Sequence, residues 1–256
     1  MIEAAASPAD FGFLLLAWCA LSLGAAGVVK GLIGIGIPMV SIALLSLAIS
    51  IPQAVVLLPV PILVTNAWQS MNSGYFLKTL SRFWPLLLAL IAGTAVGGYL
   101  LATVEQHRLQ MVIGAALVVF AALNLSAPQL FLPAKFEALT GALAGGLGGV
   151  LGGMSALFAP PILMFLVAIR LHKDEFVGTI NTIYLIGGLV LTAALAGFRV
   201  MGAAEFGWSA LATVPLFAGM LLGQKLRHRI SQQAFRKGLL VAVMLIGMNL
   251  FVRAVF

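Results

Sequence analysis

Charged side chains are scarce in this chain. Only 8% of its 256 residues are Asp, Glu, Lys or Arg, and 62% are hydrophobic, whereas soluble domains carry about 25% charged residues. A water-soluble fold of this size needs more charge to cover its surface. We therefore expect lipid to surround most of the chain.

Cysteine, histidine and acidic residues are also few. The single cysteine, Cys19, lies in an apolar run and the three histidines are scattered, which excludes a disulfide framework and a Cys/His metal cluster. No H-E-x-x-H motif or Ser/His/Asp set can be assembled within the apolar segments, so neither an enzyme nor a cofactor is expected. No Asp or Glu lies in the middle of an apolar segment. A proton relay or a cation site therefore has no carboxylate to use.

Ten apolar segments can be delimited by the charges and prolines. Most approach the roughly 20 residues that a helix needs to cross a bilayer. The second and the seventh have only about 13 residues, and either cross as short tilted helices or re-enter and leave on one side. The segments cover approximately residues 11–29, 37–50, 53–72, 83–103, 109–126, 137–153, 157–169, 175–197, 206–224 and 236–255.

The net charge of +7 comes from basic residues dispersed between these segments, without the aromatic interleaving of a nucleic-acid surface. Cytoplasmic loops of membrane proteins are enriched in Lys and Arg. If all ten segments cross and the basic loop 225–237 is cytoplasmic, every basic residue except Arg108, Arg199 and Arg253 lies inside. If the two short segments do not cross, five basic residues lie outside. The charges therefore favour ten crossings, with membrane lipid and no nucleic acid as the partner of the basic loop.

Two sets of glycines recur in the second half of the chain with their spacing preserved. The first set is offset by 118 residues and the second by 126. The matched glycines are Gly27, Gly31 and Gly34 with Gly145, Gly149 and Gly152, and Gly93 and Gly97 with Gly219 and Gly223. Such repeats are typical of secondary transporters. They predict an all-α integral membrane protein built as an inverted 5+5 repeat, in which residues 1–127 form the first repeat and 128–256 the second. It has 8–10 transmembrane segments, including two short broken helices.

The glycine runs have two expected roles. Their upstream glycines lie on one helical face, where small residues let backbones pack closely in lipid. At their lower ends, glycine and proline together break the helix, around Gly34–Pro38 and Gly152–Pro160. A helix that restarts after such a break offers free N–H groups and a positive dipole end, which suit an anion. The alternative is a packing kink without a ligand.

Neutral polar residues cluster on the segment that follows each break. Thr65, Asn66 and Gln69 lie in the third segment, and Ser155 lies within the second break. The eighth segment carries Thr179, Asn181, Thr182 and Tyr184. Ordinary interhelical hydrogen bonding is one explanation. The other is an oxyanion site whose uncharged donors bind weakly enough to release the ligand.

Charges near the segment ends have two interpretations each. Lys30 is either a lysine that extends toward the cytoplasmic surface or a charge at the cytoplasmic mouth that attracts anions. The loop from Arg170 to Glu175 contains both basic and acidic residues, and it is interpreted either as a solvated turn or as a gate.

The glycine-rich stretches at Gly31–Gly36 and Gly149–Gly153 resemble the sulfite exporter TauE/SafE family, also called TSUP. The residues Arg82-Phe83-Trp84-Pro85 before Gly93 and Gly97, and Trp208 and Pro215 before Gly219 and Gly223, are also similar to the family. Two departures stand out. Ile35 and Ile37 interrupt a glycine cluster that is often solid in the family, and Pro38 comes earlier in the repeat than Pro160. The resemblance implies export or import of sulfur-containing anions such as sulfite, sulfonates or sulfoacetate.

Together these features predict a secondary transporter that moves a small sulfur oxyanion across the cytoplasmic membrane by alternating access, with a homo-oligomer allowed. Two alternatives stay open: a carrier of another solute, such as a carboxylate or a metal cation, and a structural membrane subunit that transports nothing. The predicted substrate-binding residues are Gly34, Gly36, Asn66, Gln69, Gly152, Gly153, Ser155, Thr179, Asn181 and Tyr184.

Overall fold

The computed structural model describes residues 12–33, 36–126 and 131–226, together with residues 241, 244, 245, 247–249, 251 and 252. Every regular element in these ranges is helical, and no strand occurs among them. The α-helices are α1 (Phe13–Ile33), α2 (Ile37–Leu45), α3 (Ile51–Val56), α4 (Pro59–Met71), α5 (Phe76–Arg82), α6 (Trp84–Thr103), α7 (Gln106–Ser126), α8 (Glu137–Ser155), α9 (Ala159–Ala168), α10 (Lys173–Gly197) and α11 (Ala203–Leu226).

Seven stretches of the described chain are long and apolar enough to cross a membrane. They are Phe13–Leu32, Ile51–Met71, Trp84–Thr103, Gln106–Leu123, Ala134–Ser155, Asp174–Gly197 and Ala203–Leu226. Their outward faces carry large apolar side chains, such as Leu14 at 84% and Trp68 at 68% exposure, as lipid contact requires. The predicted all-helical, multi-span membrane fold is therefore confirmed.

Two other predicted segments are shorter than these spans in the structure. The second and seventh correspond to α2 and α9, which have 9 and 10 residues. At 1.5 Å per residue such a helix covers about half of a hydrocarbon core roughly 30 Å thick. Most of the tenth segment, 236–255, lies outside the described residues. The total of 8–10 spans and the inverted arrangement stay predictions.

The chain forms two compact units, and each combines segments from both sequence halves. Unit 1 comprises residues 1–61, 103–128 and 201–256, and unit 2 comprises 62–102 and 129–200. The division into repeats 1–127 and 128–256 concerns sequence similarity, and it stays a prediction.

In unit 1, α1 packs against α11 through glycine faces on both helices. A methyl group at Gly27 would overlap the Leu216 carbonyl oxygen, and one at Gly31 would overlap that of Met220. On α11, Gly219 and Gly223 meet the carbonyl oxygens of Gly24 and Val28 in the same way. The packing interpretation of the upstream glycines is thus confirmed at this crossing, because any larger residue would separate the two backbones.

Lys30 lies on α1 beside this crossing. Its exposed fraction is 3%, so its side chain is enclosed by protein. The interpretation of Lys30 as a lysine that extends to the membrane surface is therefore wrong. α1 continues past it to Ile33, which leaves the charge inside the helix bundle of unit 1.

In unit 2, α6 packs against α8 with the same backbone contacts. A methyl group at Gly149 would overlap the Leu90 carbonyl oxygen, just as one at Gly27 would overlap that of Leu216. In the same way, a methyl group at Gly153 would overlap the Thr94 carbonyl oxygen, as one at Gly31 would overlap that of Met220. The structural counterpart of Gly27 is therefore Gly149, at an offset of 122 instead of 118. The offset of 126 for the second glycine set agrees with the contacts. An offset of 122 also aligns Pro38 with Pro160, so the apparent displacement of Pro38 disappears.

One residue with a left-handed backbone lies between the helices at each predicted break. Gly36, with φ 113°, precedes α2. Ala156, with φ 59°, ends α8, and its N–H donates to the Gly152 carbonyl oxygen at 2.6 Å. Glycine adopts this conformation without strain, whereas alanine does so at a cost of about 1–2 kcal/mol.

Candidate functional site

Helices α4 and α10 pack antiparallel in unit 2. Ile62, near the start of α4, contacts Gly188. Further along, the hydroxyls of Ser70 and Thr182 are hydrogen-bonded at 2.6 Å, and Ser73, just beyond α4, contacts Gly178. As α4 advances, its contacts on α10 move back toward the start of that helix.

A group of buried polar side chains lies along this helix pair, and we call it the polar band. Apart from Gln69, whose side chain is partly exposed, its members have exposed fractions of at most 5%. The polar band consists of Thr65, Asn66, Gln69 and Ser70 on α4 and of Thr179, Asn181, Thr182 and Tyr184 on α10.

Several members of the polar band have partners within the protein. Asn181 Nδ2 donates to the Val177 carbonyl oxygen at 2.7 Å, and Thr182 donates to that of Gly178 at 2.9 Å. Because the Thr182 proton is used there, Ser70 is the donor in the Ser70–Thr182 bond. Thr179 accepts from Thr79 of α5 at 3.2 Å. Hydrogen bonding within and between helices accounts for these side chains.

Two atoms of the polar band have no such partner. Gln69 Oε1 and the Tyr184 hydroxyl are buried without a hydrogen-bond partner among the described residues. Gln69 neighbours Ser70, and Tyr184 follows Thr182 by two positions, so both lie within one turn of the Ser70–Thr182 bond. Leaving a buried polar atom unsatisfied costs about 1–3 kcal/mol. A polar ligand would therefore gain the most binding free energy by forming hydrogen bonds to these two atoms.

The chain between α8 and α9, where the second break is predicted, contacts α10 at Tyr184. The Phe158 and Tyr184 rings pack with centroids 6.0 Å apart at an angle of 38°. Phe158 fills the space that the missing side chains of Gly152 and Gly187 leave open. Phe158 therefore connects the chain between α8 and α9 to the polar band.

The helix that restarts there offers few donors. Pro160 and Pro161 stand at its beginning, and neither has a backbone N–H. Within unit 2, the side-chain groups of the polar band are thus better suited to a ligand than the N-terminus of α9.

The predicted site residues divide between the two units. Unit 2 contains Asn66, Gln69, Gly152, Gly153, Ser155, Thr179, Asn181 and Tyr184, whereas Gly36 belongs to unit 1 and Gly34 lies outside the described residues. Gly153 faces the backbone of α6, and Ser155 donates to the Leu151 carbonyl oxygen at 2.8 Å. Both therefore have structural contacts, and their role in binding stays a prediction.

Sequence reasoning missed Ser70 and Phe158. Ser70 is one helical turn after Asn66, so the spacing of Thr65, Asn66 and Gln69 extends to it. Phe158 gave no signal of its own, because an aromatic residue before two prolines in an apolar stretch is unremarkable in lipid.

An ion-pair cluster lies at one end of unit 2. The Arg82 guanidinium binds both carboxylate oxygens of Glu137, at 2.7 and 3.0 Å, and reaches Glu175 at 3.3 Å. Lys78 also binds Glu175, at 3.0 Å. The hydrogen bond to Glu137 and the two negative charges hold the pKa of Arg82 above its ordinary value. Glu175, in the first turn of α10, is 8% exposed, whereas Arg170, His172 and Asp174 are exposed, as expected for a solvated turn.

The ion-pair cluster also constrains the path of the chain. It places the end of α5 and the starts of α8 and α10 on one side of unit 2. The chain therefore leaves that side along α8 and returns to it after α9.

A cavity of about 180 Å³ adjoins the ion-pair cluster. None of the predicted site residues lines it. Its lining consists of Arg82, Phe83, Pro85, Leu86, Ala134, Glu137, Ala138 and Gly141.

Comparison with known proteins adds one match. A family model described as "Sulfite exporter TauE/SafE" matches residues 19–250. This range includes both glycine runs, the polar band and the ion-pair cluster. No curated protein and no solved structure matches the chain at a significant level.

Proposed function

Because the chain belongs to the sulfite exporter TauE/SafE family, we propose that it is a secondary transporter of a small sulfur oxyanion, such as sulfite, an organosulfonate or sulfoacetate. Membership makes it a multi-pass membrane transporter and not an enzyme. The proposal adds the substrate class, alternating access as the mechanism and the cytoplasmic membrane as the location.

The observation that carries the substrate class is the polar band with its two unpartnered atoms. All its side chains are uncharged, and Tyr184 offers a hydroxyl donor inside a membrane-spanning helix. Neutral donors at membrane depth stabilise an oxyanion without holding it too tightly for release.

The alternatives lack a comparable observation. A metal cation prefers carboxylate oxygens, and the polar band contains no carboxylate. A purely structural subunit gains nothing from keeping Gln69 Oε1 and the Tyr184 hydroxyl buried and unsatisfied, since each costs free energy.

Two sets of paired contacts support the inverted repeat that alternating access requires. Helices α4 and α10, which belong to the third and eighth predicted segments and so occupy corresponding places in the two halves, pack antiparallel. The crossing of α1 with α11 repeats that of α6 with α8, atom for atom. Antiparallel pairing of equivalent helices is expected of an inverted repeat.

The test is uptake by the purified protein in proteoliposomes, with sulfite, taurine, sulfoacetate and sulfate offered in turn. We expect saturable transport of at least one sulfur oxyanion and none of a divalent metal. Asn66→Ala should weaken substrate binding by about 1–3 kcal/mol through loss of a hydrogen-bonding group. Asn72→Ala is the matched control, because Asn72 is exposed just beyond α4. Transport of a metal ion with no response to any oxyanion would overturn the proposal.

A further inference from the structure

We propose that the transported species is the singly charged, hydrogen-bearing form of the oxyanion, so that hydrogensulfite is carried and the sulfite dianion is not. This inference rests on the proposed function and specifies the protonation state of its substrate. Two independent properties of the polar band lead to it: the charge of its surroundings and the chemistry of its unpartnered atoms.

The first property is the lack of charge along the helix pair. α4 and α9 contain no titratable side chain, and α10 has only Tyr184 beyond Glu175. The other titratable groups around the polar band are the ion-pair cluster at one end of unit 2, His172 and Asp174 near it, Lys173 at the start of α10, the exposed Tyr99 of α6, and Tyr75, which precedes α5 and packs against Gly178. No cation within the polar band offsets the charge of a ligand.

The energetic consequence depends on the square of the ligand's charge. The Born cost of moving an ion into a low-dielectric site is about four times larger for a dianion than for a monoanion of the same size. A few neutral donors, each contributing on the order of 1–3 kcal/mol to a charged ligand, can offset part of the smaller cost. The polar band therefore favours the monoanion.

The second property is the pair of unpartnered atoms. The Tyr184 hydroxyl can donate to an oxyanion oxygen, whereas Gln69 Oε1 can only accept. A ligand that satisfies both atoms needs an acceptor oxygen and a donor hydrogen. Hydrogensulfite has both, and the sulfite dianion has no hydrogen to donate to Gln69.

The experiment measures sulfite transport by the full-length protein in proteoliposomes, with the same pH on both sides and sulfite below saturation. In one series the total sulfite is constant, and in the other it is adjusted so that the hydrogensulfite concentration is constant. We expect the rate to fall about tenfold per pH unit in the first series, above the pH at which sulfite loses its proton, and to stay constant in the second.

The variants test whether Gln69 accepts the hydrogen of the substrate. Gln69→Leu removes the acceptor, and we expect it to lower the rate at constant hydrogensulfite by tenfold or more. Gln106→Leu, at the exposed start of α7, should behave like the wild type. A rate that changes with pH at constant hydrogensulfite, or a Gln69→Leu variant that is folded and fully active, would overturn the inference while leaving sulfite transport intact. If no sulfite is transported at any pH, the proposed function itself fails for this substrate.

Discussion

At the scale of single residues, the polar band separates into side chains with structural partners and side chains without them. Thr182 links α10 to α4 through Ser70 and also bonds its own helix. Tyr184, two residues further along α10, has a buried hydroxyl with no partner among the described residues. Two polar residues close together on one helix should therefore respond to mutation in opposite ways.

Tyr184→Phe should leave the free energy of unfolding unchanged or slightly higher, because it removes an unsatisfied buried group. Substrate affinity should fall by about 1–3 kcal/mol if Tyr184 donates to the anion. Thermal unfolding in detergent and a transport assay measure the two effects. Tyr99→Phe, on the half-exposed Tyr99 of α6, is the control. Wild-type transport by a folded Tyr184→Phe protein would remove Tyr184 from the site.

Thr182→Val should have the opposite effect, lowering the stability of the protein. It leaves the Ser70 hydroxyl without its acceptor and should destabilise the protein by about 1–2 kcal/mol. The measurement is the midpoint of thermal unfolding, with Thr192→Val as the control, because Thr192 bonds only the Gly188 carbonyl oxygen of its own helix. Equal midpoints for the two variants would contradict a structural role for the Ser70–Thr182 bond.

At the scale of helices, the glycine crossings determine which elements pack together. A helix with a glycine face needs a close backbone partner, but nothing in its own sequence says which helix supplies it. The register of the repeat was ambiguous for a related reason. Gly145, Gly149 and Gly153 recur every four residues, so the spacing of Gly27 and Gly31 fits two positions on α8. The contacts of Gly149 with Leu90 and of Gly27 with Leu216 decide between them.

Gly219→Ala should destabilise the α1–α11 crossing by about 1–3 kcal/mol, since its methyl group would overlap the Gly24 carbonyl oxygen. Gly207→Ala is a control in the same helix, where an added methyl group meets nothing within 4 Å. It should be neutral or mildly stabilising, because alanine has the higher helix propensity. Thermal unfolding of both variants gives the comparison. A neutral Gly219→Ala would show that α1 and α11 separate without cost.

Arg82→Gln should weaken the attachment of α5 to α8 and α10. Because the Arg82 side chain is 35% exposed, we expect a loss of about 1–2 kcal/mol, below the value for a fully buried pair. Limited proteolysis near α5 and thermal unfolding are the measurements. Lys225→Gln, which removes a basic residue of α11 outside the ion-pair cluster, is the control. Unchanged protease resistance in Arg82→Gln would mean that apolar contacts alone hold α5.

At the scale of the whole molecule, the sequence predicted the membrane fold, the family and most of the polar band from composition, glycine spacing and repeated neutral polar groups. It did not predict the two compact units. Each pairs a glycine-run helix of one half with a helix of the other, and such long-range pairing leaves no local pattern. The loop 225–237, on which the charge argument for orientation depends, lies outside the described residues except at its start.

The predicted topology puts the loop at 78–82 and the loop at 225–237 on the cytoplasmic side. Cysteines introduced at Ser81, at Ser231 and at Asp174 should therefore all react with a membrane-impermeant reagent from the same side, in a background where Cys19 is replaced by serine. Ser81 and Asp174 share a side because the ion-pair cluster joins their helices. Opposite labelling of positions 81 and 231 would contradict the inverted 5+5 arrangement.

Each compact unit pairs helices from different halves of the sequence, and this pairing affects the order in which contacts form during synthesis. The α6–α8 crossing joins glycines that are about 50 residues apart in the sequence. The α1–α11 crossing cannot form until Gly219 and Gly223, about 190 residues downstream of α1, have been synthesised. At a synthesis rate of about 5–20 residues per second, α1 stays in the bilayer for roughly 10–40 seconds before its partner leaves the ribosome. During that time its glycine face lacks the cover that α11 provides. A nascent chain halted after Val200 should accordingly depend on the insertion machinery to shelter α1, and pulse-chase experiments should show it degraded faster than the full-length chain.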